Sequence, residues 1–504
     1  MDTLTHIMNG FVVCLQPINL WYTFVGCFLG TIIGVLPGIG PSAGIALLIP
    51  VTYGMNPTSA LIMMSGIFYG ARYGGSTTAI LINTPGEASS VMTSLDGYQL
   101  AKQGRAGAAL AISALGSFIA GTLGVIGLTL FALPLTSMAL KFGPAEYFTL
   151  MFFAMTAVSS LAGKSPAKAM ISTVLGLMIA TIGIDLQSGQ PRYTMGVPEL
   201  QDGVGFIIAV VGLFAIAEVF FSMEEMTTGT RAEIIKLKGR LWLTMEEWTR
   251  SVGPILRGGI IGFVIGVLPG AGGTIAAILS YVWEKRLSKH PEQFGKGAIE
   301  GVAGPEAANN SDTAGAMVPL LTLGIPGGGA TAVMLGAFIM YGIQPGPLLF
   351  QNRPDLVWGL IDSMYIGNIM LLILNLPLIG IFVRLLYIPS GILMPLILAI
   401  STIGVYAING NVVELYIGLI FGVMGYIFRK VDIPVAPMVL SLVLGGIMEQ
   451  SFRQAMTISG GNPKIFVGSP ICITLVSLAV FSVALPFLLP LLKRWREGAG
   501  TDTA

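Results

Sequence analysis

Two octapeptides, Gly34-Val-Leu-Pro-Gly-Ile-Gly-Pro41 and Gly266-Val-Leu-Pro-Gly-Ala-Gly-Gly273, decide the fold of this chain. They lie in opposite halves of the sequence, and each interrupts a long apolar run with a Pro-Gly pair. Proline removes a backbone donor and clashes with the preceding turn, and glycine readily adopts left-handed conformations. No regular helix continues through such a pair, so each copy predicts a hairpin of two helices with a break between them.

The charges that flank the two copies differ. No Lys or Arg precedes Arg72, so the first copy has no positive charge near it, whereas basic residues between 250 and 289 surround the second copy on both sides. Because short cytoplasmic loops are rich in Lys and Arg, the second hairpin is predicted to open to the cytoplasm and the first to the outside. Inverted repeats with broken helices are typical of secondary transporters, whose binding sites lie at those breaks.

The composition indicates a membrane protein. Of 504 residues, 54% are hydrophobic and 10% are charged, and the mean hydropathy is +0.81. A soluble domain carries about 25% charged residues. We therefore predict an all-α polytopic membrane protein with roughly 10–12 transmembrane segments. The net charge of +1 gives no indication of nucleic-acid binding, and the three cysteines and two histidines lack the spacing of a metal or catalytic site, so no enzyme activity and no cofactor are expected.

Apolar runs and basic loops together give a topology with two inverted-topology repeats and re-entrant helical hairpins. The N-terminus is placed outside and the C-terminus in the cytoplasm. The predicted parts are a first repeat over 1–222 (hairpin 20–55, broken segment 57–95, further spans), a cytoplasmic linker over 223–254, and a second repeat over 255–504 (hairpin 255–283, broken segment 297–342, further spans).

A second matched pair of segments, 69–87 and 308–327, follows the hairpins. Each has polar residues first, then about ten apolar residues, then a Pro-Gly pair. Ten helical residues cannot cross a hydrocarbon core of about 30 Å. Each segment is therefore expected to contain a half-helix that ends inside the membrane, where protein or a water-filled cavity must cover it.

The free ends of half-helices suggest the chemistry of a binding site. A helix N-terminus suits a carboxylate, and unwound carbonyls with hydroxyl or amide oxygens suit sodium. The substrate-binding candidates are Gly38, Gly40, Ser42, Arg72, Ser76, Thr77, Thr78, Asn83, Thr84, Gly86, Gly270, Gly272, Thr274, Gly327 and Gly328. The cation-binding candidates are Asn309, Asn310, Ser311, Asp312 and Thr313. Alternatives stay open, because glycines also allow close helix packing and hydroxyls also bond to their own helix.

Four ionisable residues, Arg72, Glu87, Glu306 and Asp312, lie in or beside these segments. A charge at the bilayer centre costs roughly 2.5–3.5 kcal/mol, so an ionisable residue there suggests a functional role. We interpret Arg72 as an anion contact and Asp312 as a cation ligand. A structural ion pair of Arg72 with Glu87 or Asp312 is the alternative. Asp96 is expected in a solvated turn at the cytoplasmic edge.

Other classes of membrane protein fit less well. Gly163-Lys164-Ser165 resembles the end of a phosphate-binding loop, but Val158 replaces the required first glycine, which argues against an ATP-driven pump. A channel repeats its pore segments about an axis normal to the membrane rather than by inversion. A membrane enzyme would need a nucleophile–base or metal constellation, which is missing from the sequence.

Several motifs resemble the large membrane subunit of the tripartite tricarboxylate transporters. They are Gly30-Thr-Ile-Ile-Gly-Val-Leu-Pro-Gly-Ile-Gly-Pro41, Tyr69-Gly-Ala-Arg-Tyr-Gly-Gly-Ser-Thr-Thr78, Asn83-Thr-Pro-Gly86, Gly266-Val-Leu-Pro-Gly-Ala-Gly272, Gly324-Ile-Pro-Gly-Gly328 and Gly367-Asn-Ile-Met-Leu-Leu-Ile-Leu-Asn-Leu-Pro377. The resemblance covers nearly the whole chain. It implies a multi-pass protein of the bacterial inner membrane that works with a periplasmic solute-binding protein and a small four-span membrane subunit. It also implies uptake of citrate or related carboxylates with sodium or protons, and an elevator-like motion by analogy with other hairpin carriers.

The energy of transport supports a coupling cation. Bringing a trianion into a negatively charged cell costs about 7 kcal/mol per 100 mV, three times the cost of a single charge. Without ATP, co-transported cations are the obvious offset, so we predict sodium symport with the substrate held at the hairpin tips near the midplane. The alternatives are a stand-alone organic-anion exchanger, a non-transporting subunit, or a carrier for dicarboxylates or aromatic acids.

Overall fold

The computed structural model describes residues 3–36, 38–161, 165–185, 188–228, 235 and 241–498. Three sequence features therefore fall wholly or partly outside the described residues: Pro37 of the first octapeptide, Gly163 and Lys164 of the rejected phosphate-loop motif, and most of 229–240 in the predicted linker. Among the described residues the regular secondary structure is almost all helix, with one pair of two-residue strands.

The first half of the chain contains the first predicted hairpin and broken segment. Its helices are α1 (Thr3–Cys14), α2 (Pro17–Val35), α3 (Gly40–Leu48), α4 (Pro57–Ile82), α5 (Val91–Leu100), α6 (Ala106–Ala139), α7 (Pro144–Leu161), α8 (Pro166–Ala180), α9 (Phe206–Val210) and α10 (Ala217–Thr228). Strands β1 (Gly183–Ile184) and β2 (Pro191–Arg192) pair antiparallel, with Gly183 opposite Arg192.

The second half contains the second hairpin and broken segment. Its helices are α11 (Met245–Val267), α12 (Gly272–Leu287), α13 (Glu300–Leu323), α14 (Gly329–Met340), α15 (Pro347–Asn352), α16 (Pro354–Asn375), α17 (Ile379–Leu385), α18 (Ser390–Asn409), α19 (Val412–Lys430), α20 (Ala436–Ile458) and α21 (Pro470–Gly498).

Many of these helices can cross a membrane. Seven helical segments among the described residues are long and apolar enough by length and composition, and five shorter apolar helices accompany them. The prediction of an all-α polytopic membrane protein is confirmed. Helix α2, with 19 residues, belongs to the seven, so its length alone does not require the chain to turn back within the membrane.

Both octapeptides interrupt a helix, as predicted. α2 and α3 are separated at the first octapeptide, and α11 and α12 at the second. The backbones of the two breaks match: Gly38 and Gly270 have φ of 88° and 80°, and Gly40 and Gly272 have φ of 60° and 63°. These left-handed conformations strain any residue with a Cβ atom, which explains why both breaks carry glycine at these positions.

The helix before each break packs against a long helix through glycines spaced four residues apart. A methyl group at any of these glycines would lie 2.1–2.6 Å from a carbonyl oxygen of the partner helix. The contacts are Gly26–Met63, Gly30–Ile67 and Gly34–Ala71 between α2 and α4, and Gly258–Gly304, Gly262–Ala308 and Gly266–Asp312 between α11 and α13. The same packing register thus recurs in both halves, which supports a repeated unit. The opposite membrane orientation of the two copies stays a prediction.

The close glycine contacts between α11 and α13 lead to a testable prediction. In Gly262→Ala the added methyl would lie 2.1 Å from the Ala308 carbonyl oxygen. Because backbone must then move, we expect the free energy of unfolding to fall by about 1–3 kcal/mol. Thermal unfolding of the purified chain in detergent measures the effect. Gly446→Ala is the control, since its added methyl has no described atom within 4 Å apart from its own turn of helix. Equal unfolding midpoints for the two variants would contradict the close packing.

The prediction of half-helices of about ten residues is wrong. α4 runs for 26 residues and α13 for 24, straight through the polar stretches. With a rise of about 1.5 Å per residue both are roughly 36–39 Å long, enough to cross a bilayer core. The start of α4 is marked instead by Asn56, whose side chain accepts from the Thr58 N–H at 2.9 Å. Their ends match, because Asn83 and Gly324 are both left-handed C-caps.

The second hairpin begins earlier than predicted. α11 starts at Met245, inside the stretch assigned to the linker, and not at 255. The start is fixed by a capping box: the Thr244 hydroxyl accepts from the Glu247 N–H, and the Glu247 carboxylate accepts from the Thr244 N–H at 2.8 Å. The polar, charged first turn conceals this helix start, because the apolar run that predicts the helix begins only near residue 255.

The chain forms two compact units, and each combines segments of both predicted repeats. One comprises Met1–Ala139 and Gly205–Tyr426, and the other Leu140–Val204 and Ile427–Ala504. In the first unit, α6 packs on α13 and α16 packs on α4. In the second unit, α7 packs on α20 and α21, and α8 packs on α20. Both hairpins and all the predicted site residues belong to the first unit.

Candidate functional site

Arg72 stands in the interior of α4, and its guanidinium joins both halves of the chain. Its Nη1 donates to Glu87 Oε1 at 3.1 Å, to Ser89 Oγ at 2.7 Å and to Asn309 Oδ1 at 2.7 Å. Its Nη2 donates to Asp312 Oδ2 at 3.2 Å. These five residues are called the Arg72 cluster below. The cluster connects the break after α4 with the middle of α13.

The Arg72 cluster is buried and carries a net negative charge. The side chains of Arg72, Glu87 and Asp312 are 9%, 4% and 1% exposed. One guanidinium faces two carboxylates, so the structural ion pairs considered as an alternative are present. Two polar atoms are left over: Arg72 Nε and Asp312 Oδ1 are buried without a hydrogen-bond partner among the described residues. A buried donor and a buried acceptor without partners are both costly, which favours a further polar partner in this cluster.

Both hairpin breaks approach the Arg72 cluster. A methyl group at Gly273, in the first turn of α12, would lie 2.5 Å from Arg72 Nη1 and 2.9 Å from Asn309 Oδ1. A methyl group at Gly40, the first residue of α3, would lie 3.8 Å from Glu87 Cβ. The N-terminal ends of α3 and α12 therefore lie beside the cluster, and their backbone N–H groups carry partial positive charge.

The Pro-Gly breaks of the broken segments pack against the hairpins. The Gly270 N–H donates to the Gly327 carbonyl at 2.9 Å, and a methyl group at Gly328 would lie 3.7 Å from Gly272 Cα. These four predicted residues are therefore brought together. In the first half a methyl group at Gly86 would lie 2.1 Å from the Gly34 carbonyl oxygen at the end of α2, and the Gly86 N–H donates to the Gly75 carbonyl of α4 at 3.3 Å.

The remaining predicted substrate residues are dispersed. Ser76, Thr77 and Thr78 are buried in the interior of α4 rather than at a helix start, so their backbone donors are not free. Thr78 and Thr84 donate to nearby carbonyls of their own segment, at 2.9 Å and 3.3 Å. Others lie at the rims of the breaks with part of their surface exposed: Gly38, Ser42, Asn83 and Thr274.

The five predicted cation residues do not face one point. They are consecutive in α13, and consecutive helical residues point around the whole circumference of a helix. Asn309 and Asp312 face Arg72, whereas Asn310 donates to Ser117 Oγ at 2.7 Å. The structure therefore divides the set over at least two faces of α13.

Several buried oxygens of this stretch accept no hydrogen bond from any described residue. The atoms buried without a partner among the described residues are Asn310 Oδ1, Ser311 Oγ, Asp312 Oδ1 and Thr313 Oγ1. Within the described part of the chain there is no group of three or more His, Cys, Asp or Glu side chains placed to hold a metal ion. A cation here would therefore need hydroxyl and amide oxygens among its ligands.

Comparison with known proteins identifies the family. The family model described as tripartite tricarboxylate transporter TctA matches residues 20–440. The chain belongs to the TctA family. The resemblance to the large membrane subunit of the tripartite tricarboxylate transporters is therefore confirmed.

Two similar proteins come from Agrobacterium vitis. One, described as an uncharacterized 52.8 kDa protein in the TAR-I ttuC' 3'region, is 47% identical over 497 residues, which are 99% of this chain and 98% of that protein. The other, described as an uncharacterized protein in the TAR-II ttuC' 3'region, is 47% identical over 236 residues, 47% of this chain and 97% of that protein. No solved structure matches the chain.

Sequence reasoning missed two polar positions in this TctA-family chain. Tyr73 donates to Asn368 Oδ1 at 2.6 Å, and Asn368 Nδ2 donates to the Phe118 carbonyl at 2.8 Å and to Thr122 Oγ1 at 2.9 Å. Asn368 thereby joins α4, α6 and α16. Its position inside an apolar run was the available signal, because polar residues within membrane segments seek buried partners.

Asp96 is not in a solvated turn, contrary to expectation. It is fully buried in α5, and its Oδ1 accepts from the backbone N–H groups of Gly295, Gly297 and Ala298, each at 2.8 Å. Tyr281 donates to its Oδ2 at 2.9 Å. Asp96 thus fixes the loop before α13. The sequence alone could not show a partner almost 200 residues away.

Proposed function

We propose that this chain imports citrate or a related tricarboxylate by sodium symport, with the substrate held beside the Arg72 cluster near the membrane midplane. The observation that carries the proposal is the convergence of a buried arginine with two helix N-termini. Arginine and helix N-termini are the usual partners of carboxylates in proteins. The unpaired Nε of Arg72 and the first turns of α3 and α12 would supply the donors.

A symported cation balances the charge of this arrangement. The Arg72 cluster already contains two carboxylates for one guanidinium. An incoming tricarboxylate adds further negative charge to a buried site, and the membrane potential opposes its entry by about 2.3 kcal/mol per charge per 100 mV. Sodium ions bound near the cluster would reduce both costs.

The proposed setting is the bacterial inner membrane, with the N-terminus outside and the C-terminus in the cytoplasm. The supporting observation is the distribution of basic residues, which surround the second octapeptide and are missing before Arg72. The partners would be a periplasmic solute-binding protein that delivers the substrate and a small four-span membrane subunit. Membership of a tripartite transporter family supports both partners.

Uptake into proteoliposomes tests this proposal. The chain is reconstituted with the small membrane subunit, labelled citrate is added with the binding protein outside, and sodium, potassium or proton gradients are imposed. A tenfold sodium gradient supplies about 1.4 kcal/mol per coupled ion, so we expect accumulation to rise about tenfold per ion. Equal citrate uptake with and without the sodium gradient would contradict sodium coupling.

The same assay distinguishes the alternative functions from the proposed one. Uptake without the binding protein would favour a stand-alone organic-anion exchanger, particularly if internal anion accelerates it. Uptake of a labelled dicarboxylate or aromatic acid, but not of labelled citrate, would reassign the substrate. No uptake of any acid with all three components present would contradict a transport function for this chain.

A further inference from the structure

A second buried carboxylate, Glu306, lies in a cage of hydroxyl groups from three helices. Glu306 is fully buried on α13. Its Oε2 accepts from Ser76 of α4 at 2.5 Å and from Ser113 of α6 at 3.2 Å. Its Oε1 accepts from Thr93 of α5. These four residues are called the Glu306 cage.

The Glu306 cage lacks a positive charge. Glu87 and Asp312 share Arg72, but Glu306 forms no ion pair with any Lys, Arg or His among the described residues. Three hydroxyl donors stabilise its ionised form, yet they do not cancel the charge. A buried carboxylate without a counter-charge is costly, so a cation from solution would stabilise the cage.

The ligands of the cage match a hard cation. The cage offers two carboxylate and three hydroxyl oxygens and no nitrogen or sulfur, and one carboxylate neutralises one monovalent ion. Each hydroxyl has lone pairs for an ion once its proton turns to another acceptor. Ser76 has such an acceptor in the Arg72 carbonyl of its own helix, at 3.4 Å.

We propose that the Glu306 cage binds the coupling sodium ion. This inference rests on the proposed sodium symport and places its ion away from the five residues that sequence analysis selected. The cage and the Arg72 cluster are built on the same two helices: Ser76 lies one turn after Arg72 in α4, and Glu306 lies one turn before Asn309 in α13. An ion that draws α4 and α13 together therefore also orders the Arg72 cluster.

Sodium binding to the full-length chain in detergent tests the inference without substrate or partner proteins. Thermal unfolding is followed in sodium chloride and in choline chloride of equal ionic strength, and binding of radioactive sodium is measured directly. We expect sodium to raise the unfolding midpoint of the parent chain. Glu306→Gln should abolish both the rise and the binding, because the charge of the cage is gone.

Hydroxyl variants keep the test decisive if Glu306→Gln does not fold. Thr93→Val should weaken sodium binding roughly 10–100-fold, as loss of a coordinating or orienting group does at metal sites. Thr322→Val is the matched control: its hydroxyl is equally buried on α13 but, within the described part of the chain, donates only to the Val318 carbonyl of its own helix, at 2.7 Å. It should bind sodium like the parent chain.

Sodium binding that is unchanged in Glu306→Gln or Thr93→Val would overturn the assignment. If binding is instead lost in Asp312→Asn, the ion belongs to the Arg72 cluster. Sodium-driven uptake that survives Glu306→Gln would refute only this site, whereas sodium binding without any carboxylate uptake would refute only the proposed function.

Discussion

Arg72→Gln is expected to abolish carboxylate uptake and to destabilise the chain. The substitution removes the only cation of the Arg72 cluster and leaves Glu87 and Asp312 buried without a counter-charge. Breaking a buried ion pair from one side typically costs about 3–5 kcal/mol. Thermal unfolding in detergent measures the loss of stability, and labelled-citrate uptake into proteoliposomes measures transport.

A triple variant separates the role of Arg72 in stability from its role in transport. Arg72→Gln/Glu87→Gln/Asp312→Asn makes the cluster neutral and places a polar amide at each of the three positions. We expect stability to recover, because replacing a complete buried ion group with neutral residues is often tolerated. Transport should stay absent, since the guanidinium for the substrate is missing. If the triple variant transports normally, Arg72 forms a structural ion pair and does not contact the substrate.

Cysteines introduced one at a time at the ends of the two hairpins should react from opposite sides of the membrane. Tyr53, after α3, is 57% exposed, and Lys289, after α12, is also exposed. We expect a membrane-impermeant maleimide to label Tyr53→Cys in intact cells and Lys289→Cys only after permeabilisation. The native Cys14, Cys27 and Cys472 are buried and should give a low background.

A further cysteine decides whether the first hairpin re-enters. Leu15, just before α2, is 50% exposed. A re-entrant hairpin puts Leu15→Cys and Tyr53→Cys on the same face, whereas a chain that crosses through α2 and α3 puts them on opposite faces. The 19-residue length of α2 permits either result. Labelling of Tyr53→Cys and Lys289→Cys from one and the same side would contradict inverted repeats.

The helix breaks could be predicted because their cause is local. Proline and glycine act on the backbone of their own segment, so the sequence alone locates both interruptions. The left-handed glycines Gly38 and Gly270 lie where the two octapeptides place them. The all-α membrane fold could be predicted for a similar reason, since it depends on composition and on the length of apolar runs.

The long helices could not be predicted in the same way. Glycine and hydroxyl residues in α4 and α13 weaken the apolar pattern, so polar helix interiors resemble helix starts. Tertiary packing against α2 and α11 makes these sequences helical, and that packing depends on glycine contacts with residues more than 30 positions away. The partners of Asp96 and Glu306, which lie on loops and helices distant in sequence, were hidden for the same reason.

The Arg72 cluster also restricts how the protein can change shape. Arg72 and Glu87 come from one half of the chain, and Asn309 and Asp312 from the other. A rocking movement that separated the two halves of the chain would break the contacts of Arg72 with Asn309 and Asp312. The loss of the buried ion pair would cost about 3–5 kcal/mol. A movement that carries α4 and α13 together would keep these contacts and avoid that cost.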